Sequence, residues 1–139
     1  MRDDARSRDR WVTALALMMG LMAASNFWKP VAQRMAPESN AGFVFLGTRL
    51  HGAANAVIGP LFGVLLAAYA YGAWTLRRWV APLAIGYAGY VIANLILYTL
   101  ITPADQKPPM LGMIAYAAVA IGVSGGGAYY LWSQRDRLR

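Results

Sequence analysis

Two groups of side chains in this sequence have types and spacing that could do chemistry. Tyr87, Tyr90, Asn94 and Tyr98 follow one another at intervals of 3, 4 and 4 residues, which places them on one face of a helix. Such a stripe can wall a pocket for a lipid or amphiphile, with Asn94 fixing a polar group. Its structural alternative is an interhelical hydrogen bond from Asn94, for example to Asn55, with the tyrosines filling space beside small residues. The second group is Arg49, His51 and Asn55. With both polar and small residues on its face, it can hold an anion or a lipid headgroup at a membrane rim. Alternatively Arg49 snorkels, its stem in apolar surroundings and its charge in water. His51 is the only histidine, so symmetric haem ligation would require a second chain, and capping or an interfacial place is the simpler role.

What is missing is as informative. The carboxylates are Asp3, Asp4, Asp9, Glu38, Asp105 and Asp136, and none falls in an apolar run. Proton transport through a membrane carboxylate has no candidate, nor has a two-carboxylate metal site or acid–base pair. The absence of cysteine removes disulfides, thiolate metal sites and cysteine nucleophiles. Ser124 lies in Gly-Val-Ser-Gly-Gly, which is not a nucleophile elbow. Met18, Met19 and Met22 read as packing residues. No catalytic residue, metal site or cofactor is expected, and the chain leans away from being an enzyme.

The elements that carry these residues are membrane spans. The 139 residues are 58% hydrophobic and 14% charged, against about 25% charged in soluble domains. The charges separate apolar runs of about 20 residues, the length that crosses a bilayer as a helix. Spans are expected at about 11–28, 54–76, 79–100 and 110–132. Lys29–Pro30 should weaken the first beyond Trp28. Residues 42–53, with Arg49 and His51, read as an interfacial extension of the second, in which Pro60 predicts a kink. The segment 101–109 (ITPADQKPP) is a loop. Together they predict one all-α domain over 1–139: an integral membrane four-helix bundle, antiparallel, up-down-up-down. Three aspartates before Trp11 make a poor signal-peptide start, so the first run is expected as a retained helix.

The net charge of +7 sits mostly beside the spans and is not a nucleic-acid signal. Arg2, Arg6, Arg8, Arg10, Arg77, Arg78, Arg135, Arg137 and Arg139 fall on one side, and Lys29, Arg34, Arg49 and Lys107 on the other. Nine against four places both termini in the cytoplasm by the positive-inside rule, with a bacterial inner (cytoplasmic) membrane as the expected location. Arg77, Arg78, Arg135, Arg137 and Arg139 would meet anionic headgroups. Glycine pairs and stripes, Gly59–Gly63, Gly86–Gly89 and Gly122–Gly126, let helices approach closely, within the chain or in a homo-oligomer.

Arg49-x-His51 followed by Pro60 resembles the second-helix signature of the MAPEG superfamily of four-helix glutathione and eicosanoid enzymes. The resemblance covers about a dozen residues. It would imply glutathione binding in a trimer, with Arg49 near the cofactor. The family's Asn and Glu would fall at Ala53 and Ala56, so both polar partners are absent. Three functional expectations follow: a non-enzymatic accessory or scaffolding subunit packing against membrane proteins or lipids; a binder or carrier of a lipid-like small molecule; and a MAPEG-like glutathione-dependent enzyme.

Overall fold

A computed structural model describes residues 9–39 and 41–139. The expectations that rest on Arg2, Arg6 and Arg8 lie outside the described residues. Among the described residues there are four α-helices: α1 (Arg10–Met35), α2 (Gly52–Trp74), α3 (Val80–Ile101) and α4 (Met110–Ser133). Each is long and apolar enough to cross a membrane. The helix is the natural form of such runs, because it satisfies every backbone N–H and C=O within the segment. α1 packs mainly along α2, and α3 along α4. Met19, Leu66, Tyr69, Val80 and Leu131 are fully buried where the helices meet.

Two features depart from the sequence expectation, and both build the site. First, α1 does not stop at Trp28 but runs through Pro30 to Met35. Proline withholds one N–H, leaving the Asn26 carbonyl without its usual helical donor. Beyond it, Gln33 contacts the loop and α2 (below), and these long-range bonds outweigh the local cost.

Second, residues 42–53 are not a helical extension. Val44–Phe45 (β1) and Thr48–Arg49 (β2) pair antiparallel, with Val44 opposite Arg49 and Phe45 opposite Thr48. The Leu46–Gly47 turn has φ of 47° and 81°, the positive values that a two-residue type I′ turn demands at both centres. Gly47 is required for space as well. A Cβ there would lie 2.5 Å from the carbonyl carbon of Leu97, so the tip rests directly on the α3 backbone. Arg49 therefore sits on a strand, not on the small-residue face of α2.

The expected glycine faces divide. Gly59 and Gly63 lie against α1, where a Cβ would come 3.4 Å from the Asn26 carbonyl oxygen and 3.0 Å from the Phe27 ring. Around Gly86, Gly89, Gly122 and Gly126 nothing lies within 4 Å of where a Cβ would be.

The opposite end is closed by the chain's tail. α2 ends in a Schellman motif, with Arg77 N–H donating to the Gly72 carbonyl at 2.8 Å and Leu76 N–H to Ala73 at 3.3 Å, while Leu76 takes the left-handed position (φ 56°). Arg139 N–H donates to Leu76 O, and Arg78 N–H to Arg139 O, both at 2.7 Å. Leu138 is buried beneath this pairing. The Tyr130 hydroxyl donates to the Asp9 carboxylate, and this bond holds the Asp9 carboxyl below its usual range.

Candidate functional site

The hairpin is fixed by side chains from three helices. Asn55 of α2, fully buried, accepts the Phe43 N–H at 2.9 Å through Oδ1 and donates to Gln33 Oε1 of α1 at 2.8 Å. Gln33 Nε2 donates to the Leu50 carbonyl at 3.2 Å and lies 2.9 Å from His51 Nδ1. On the other side, Asn94 of α3 accepts the Gly47 N–H at 2.9 Å, and the Tyr90 hydroxyl donates to Val44 O at 3.3 Å. A hairpin of two-residue strands is too short to stand alone in water or lipid. Here its free backbone groups are taken up by the buried Asn55, the half-buried Gln33 and Asn94, and the Tyr90 hydroxyl, as polar groups removed from water require.

Once in place, the hairpin supplies an aromatic wall. Phe43 packs on Phe62 of α2 with ring centroids 4.9 Å apart. Phe62 packs on Tyr90 at 4.7 Å, and Phe45 lies 6.2 Å from Tyr90. These are ordinary separations for favourable aromatic pairs.

Between this wall and the helices lies a cavity of about 500 Å³. Its lining draws on α1 (Asn26, Lys29), the hairpin segment (Phe43, Arg49), α2 (Phe62, Leu66), α3 and α4 (Tyr116, Ala120). Of the residues singled out from sequence, Arg49, Tyr87, Tyr90, Asn94 and Tyr98 all line it. Asn55 does not; it is spent on the hairpin. His51 is exposed and lines a neighbouring space of about 540 Å³, together with Gly47, Thr48 and Asp105. Arg49 and Tyr98 line both spaces.

Lys29 is the residue that sequence reasoning placed elsewhere, as one of the loop charges outside the first span. The continuing helix carries it into the cavity wall, where its ammonium donates to Asn26 Oδ1 at 2.8 Å and stands 4.9 Å from the centre of the Phe43 ring, within cation–π range. The signal was there: Asn26, Lys29 and Gln33 recur at helical spacing across Pro30. Arg49 Nη1 donates to the Gly42 carbonyl at 3.1 Å. No Asp or Glu among the described residues lines this cavity, and no group of three or more His, Cys, Asp or Glu lies together among them.

Aromatic and aliphatic walls, a few amides and hydroxyls, and two cations give this space both shape and polarity. Arg49 and His51 stand on the strand and at the cap preceding α2 rather than on the helix that the MAPEG-like signature implies. No family model matches the chain, and no characterised protein or solved structure does either.

Proposed function

We propose that the protein binds or carries a lipid-like small molecule inside its helical bundle. The observation that carries this reading is the cavity of about 500 Å³, to which all four helices and the hairpin contribute lining residues. Its volume falls in the range of small-molecule sites, roughly 300–1,000 Å³. The reading includes an integral membrane protein of up-down-up-down topology, α2 kinked at Pro60, both termini cytoplasmic, in a bacterial inner membrane. The Asp9–Tyr130 and Arg78–Arg139 bonds support that topology, since they join segments that the charge bias assigns to one side. Arg77, Arg78, Arg135, Arg137 and Arg139 would then lie at the anionic cytoplasmic leaflet.

The test is mass spectrometry of what stays with the protein after purification in mild detergent. An amphiphile retained near stoichiometrically by the wild type, and lost in Ala120→Phe, supports the reading. Ala120 lines the cavity and makes none of the hairpin's hydrogen bonds, so the added ring fills space without freeing the hairpin. Equal retention by Ala120→Phe, or no retained amphiphile, would refute it.

A second reading, an accessory subunit packing against other membrane proteins or another copy, is favoured by one observation. Gly122 and Gly126 have open space where side chains would be, and α4 is the least buried of the four helices. A partner protein co-purifying stoichiometrically, in place of a lipid, would favour it.

A further inference from the structure

The α3 wall of the cavity carries hydrogen-bonding capacity that the fold does not use. Tyr87 is more than nine-tenths buried, with 8% of its surface exposed, and it lines the cavity. Its ring is fixed between those of Tyr69 and Tyr90, with centroids 6.1 and 6.4 Å away. The Tyr90 hydroxyl is spent on Val44 O, but that of Tyr87 has no hydrogen-bond partner among the described residues. Only the Tyr69 hydroxyl is both sealed and unbonded there, so that of Tyr87 is accessible, and the space it reaches is the cavity. Asn94, about 10 Å further along the helix, lines the same cavity. Its Oδ1 is committed to the Gly47 N–H, which leaves Nδ2, a group that can only donate, without a partner among the described residues. A hydroxyl within a membrane span has lost bulk water, and a partner that enters with a ligand restores the bond. Much of the remaining wall is apolar, with Phe62, Leu66, Val91 and Ala120, which suits a neutral group joined to a hydrocarbon tail.

We infer that the cavity takes a neutral lipid bearing a carbonyl oxygen, an acyl ester or a quinone, and that the Tyr87 hydroxyl donates to that oxygen. Asn94 Nδ2 adds a second donor to the same wall, so the unspent capacity favours acceptors. This rests on the reading of the cavity as a ligand site and adds the neutral, acceptor character of the ligand and the residue that recognises it.

The experiment measures binding to the purified full chain at one fixed concentration of a neutral maltoside detergent. Three neutral probes with the same tail are compared: dodecyl acetate, dodecyl-1,4-benzoquinone and dodecylbenzene, which has no oxygen. At least one carbonyl probe should bind about five- to tenfold more tightly than dodecylbenzene, the size of one hydrogen bond. Which probe does so distinguishes an acyl ester from a quinone as the source of the carbonyl. Tyr87→Phe should remove that advantage while dodecylbenzene binding persists. This variant deletes one oxygen and keeps the ring, and persistent dodecylbenzene binding shows that it has folded. In the wild type, a carbon-13 carbonyl in the favoured probe should also show a lower infrared stretching frequency than in empty micelles, and Tyr87→Phe should restore it. Equal binding of all three probes, or a carbonyl advantage that survives Tyr87→Phe, would overturn the inference and leave the cavity reading standing. Binding of none would overturn both.

Discussion

Asn94, in the middle of α3, accepts a hydrogen bond from the backbone N–H of Gly47, at the tip of a hairpin 47 residues earlier in the chain. This bond and the one from the Tyr90 hydroxyl to Val44 O tie the loop between the first two helices to the third. They turn a connecting segment into one wall of a cavity.

Replacing Asn94 by leucine should therefore act through the hairpin. The half-buried tip would lose its acceptor, at a cost of about 1–3 kcal/mol for an unsatisfied buried N–H. Thermal unfolding in detergent should show the loss. A cysteine placed at Thr48 should also react faster with a thiol reagent in the Asn94→Leu background than in the wild type. Unchanged stability and unchanged labelling would mean that the tip is held by packing alone.

Gly47 and Gly122 should respond oppositely to alanine. At Gly47 the methyl group would lie 2.5 Å from the Leu97 carbonyl carbon, on a backbone with φ of 81°. Strain and overlap together should cost on the order of 3 kcal/mol. At Gly122 nothing lies within 4 Å, and alanine should change stability by less than about 1 kcal/mol, in the stabilising direction if helix propensity dominates. A strong loss of stability in Gly122→Ala would reveal a helix from another molecule against that face.

The hydrogen bonds at the tail make a topological prediction. Arg78 N–H and the Arg139 carbonyl are 2.7 Å apart, so the α2–α3 turn and Arg139 lie at one end of the helices and are expected on one side of a membrane. With no cysteine in the chain, single-cysteine labelling has no background. Arg77→Cys and Arg139→Cys should both react from the cytoplasmic side of sealed vesicles, and Ala36→Cys and Ala104→Cys from the other. Arg77→Cys and Arg139→Cys reacting from opposite sides would disprove the arrangement.

Tyr69 should be better replaced by phenylalanine. Its side chain is fully buried, and its hydroxyl has no hydrogen-bond partner among the described residues. A hypothetical Cβ on Gly127 would lie 3.2 Å from it, so the helix beside it must stay bare at that position. Removing an unsatisfied buried hydroxyl should stabilise the protein by about 1 kcal/mol, seen as a higher Tm in detergent. A lower Tm would show that the hydroxyl is satisfied in the membrane, for instance by water or a bound ligand.

Some of this was legible from residue order alone. Four apolar runs of spanning length, separated by charges and prolines, are a statement about local composition, and the bilayer thickness converts that into four helices. The spacing of Tyr87, Tyr90, Asn94 and Tyr98 likewise put them on one wall, because helical periodicity needs only neighbours in sequence. Tertiary structure alone decided that residues 42–50 fold back as a hairpin. No strand alternation is strong enough there to announce it, and the turn places Leu46 at a positive φ that leucine does not favour. The bonds that compensate come from Gln33, Asn55 and Asn94, on three different helices. The same is true of Lys29. As a residue before proline it reads as the end of a helix, and only the packing of Gln33 against the hairpin and α2 carries α1 onward and turns that lysine into the cavity. Local pattern sets where the chain can be helical; contacts between residues far apart in sequence decide what the helices enclose.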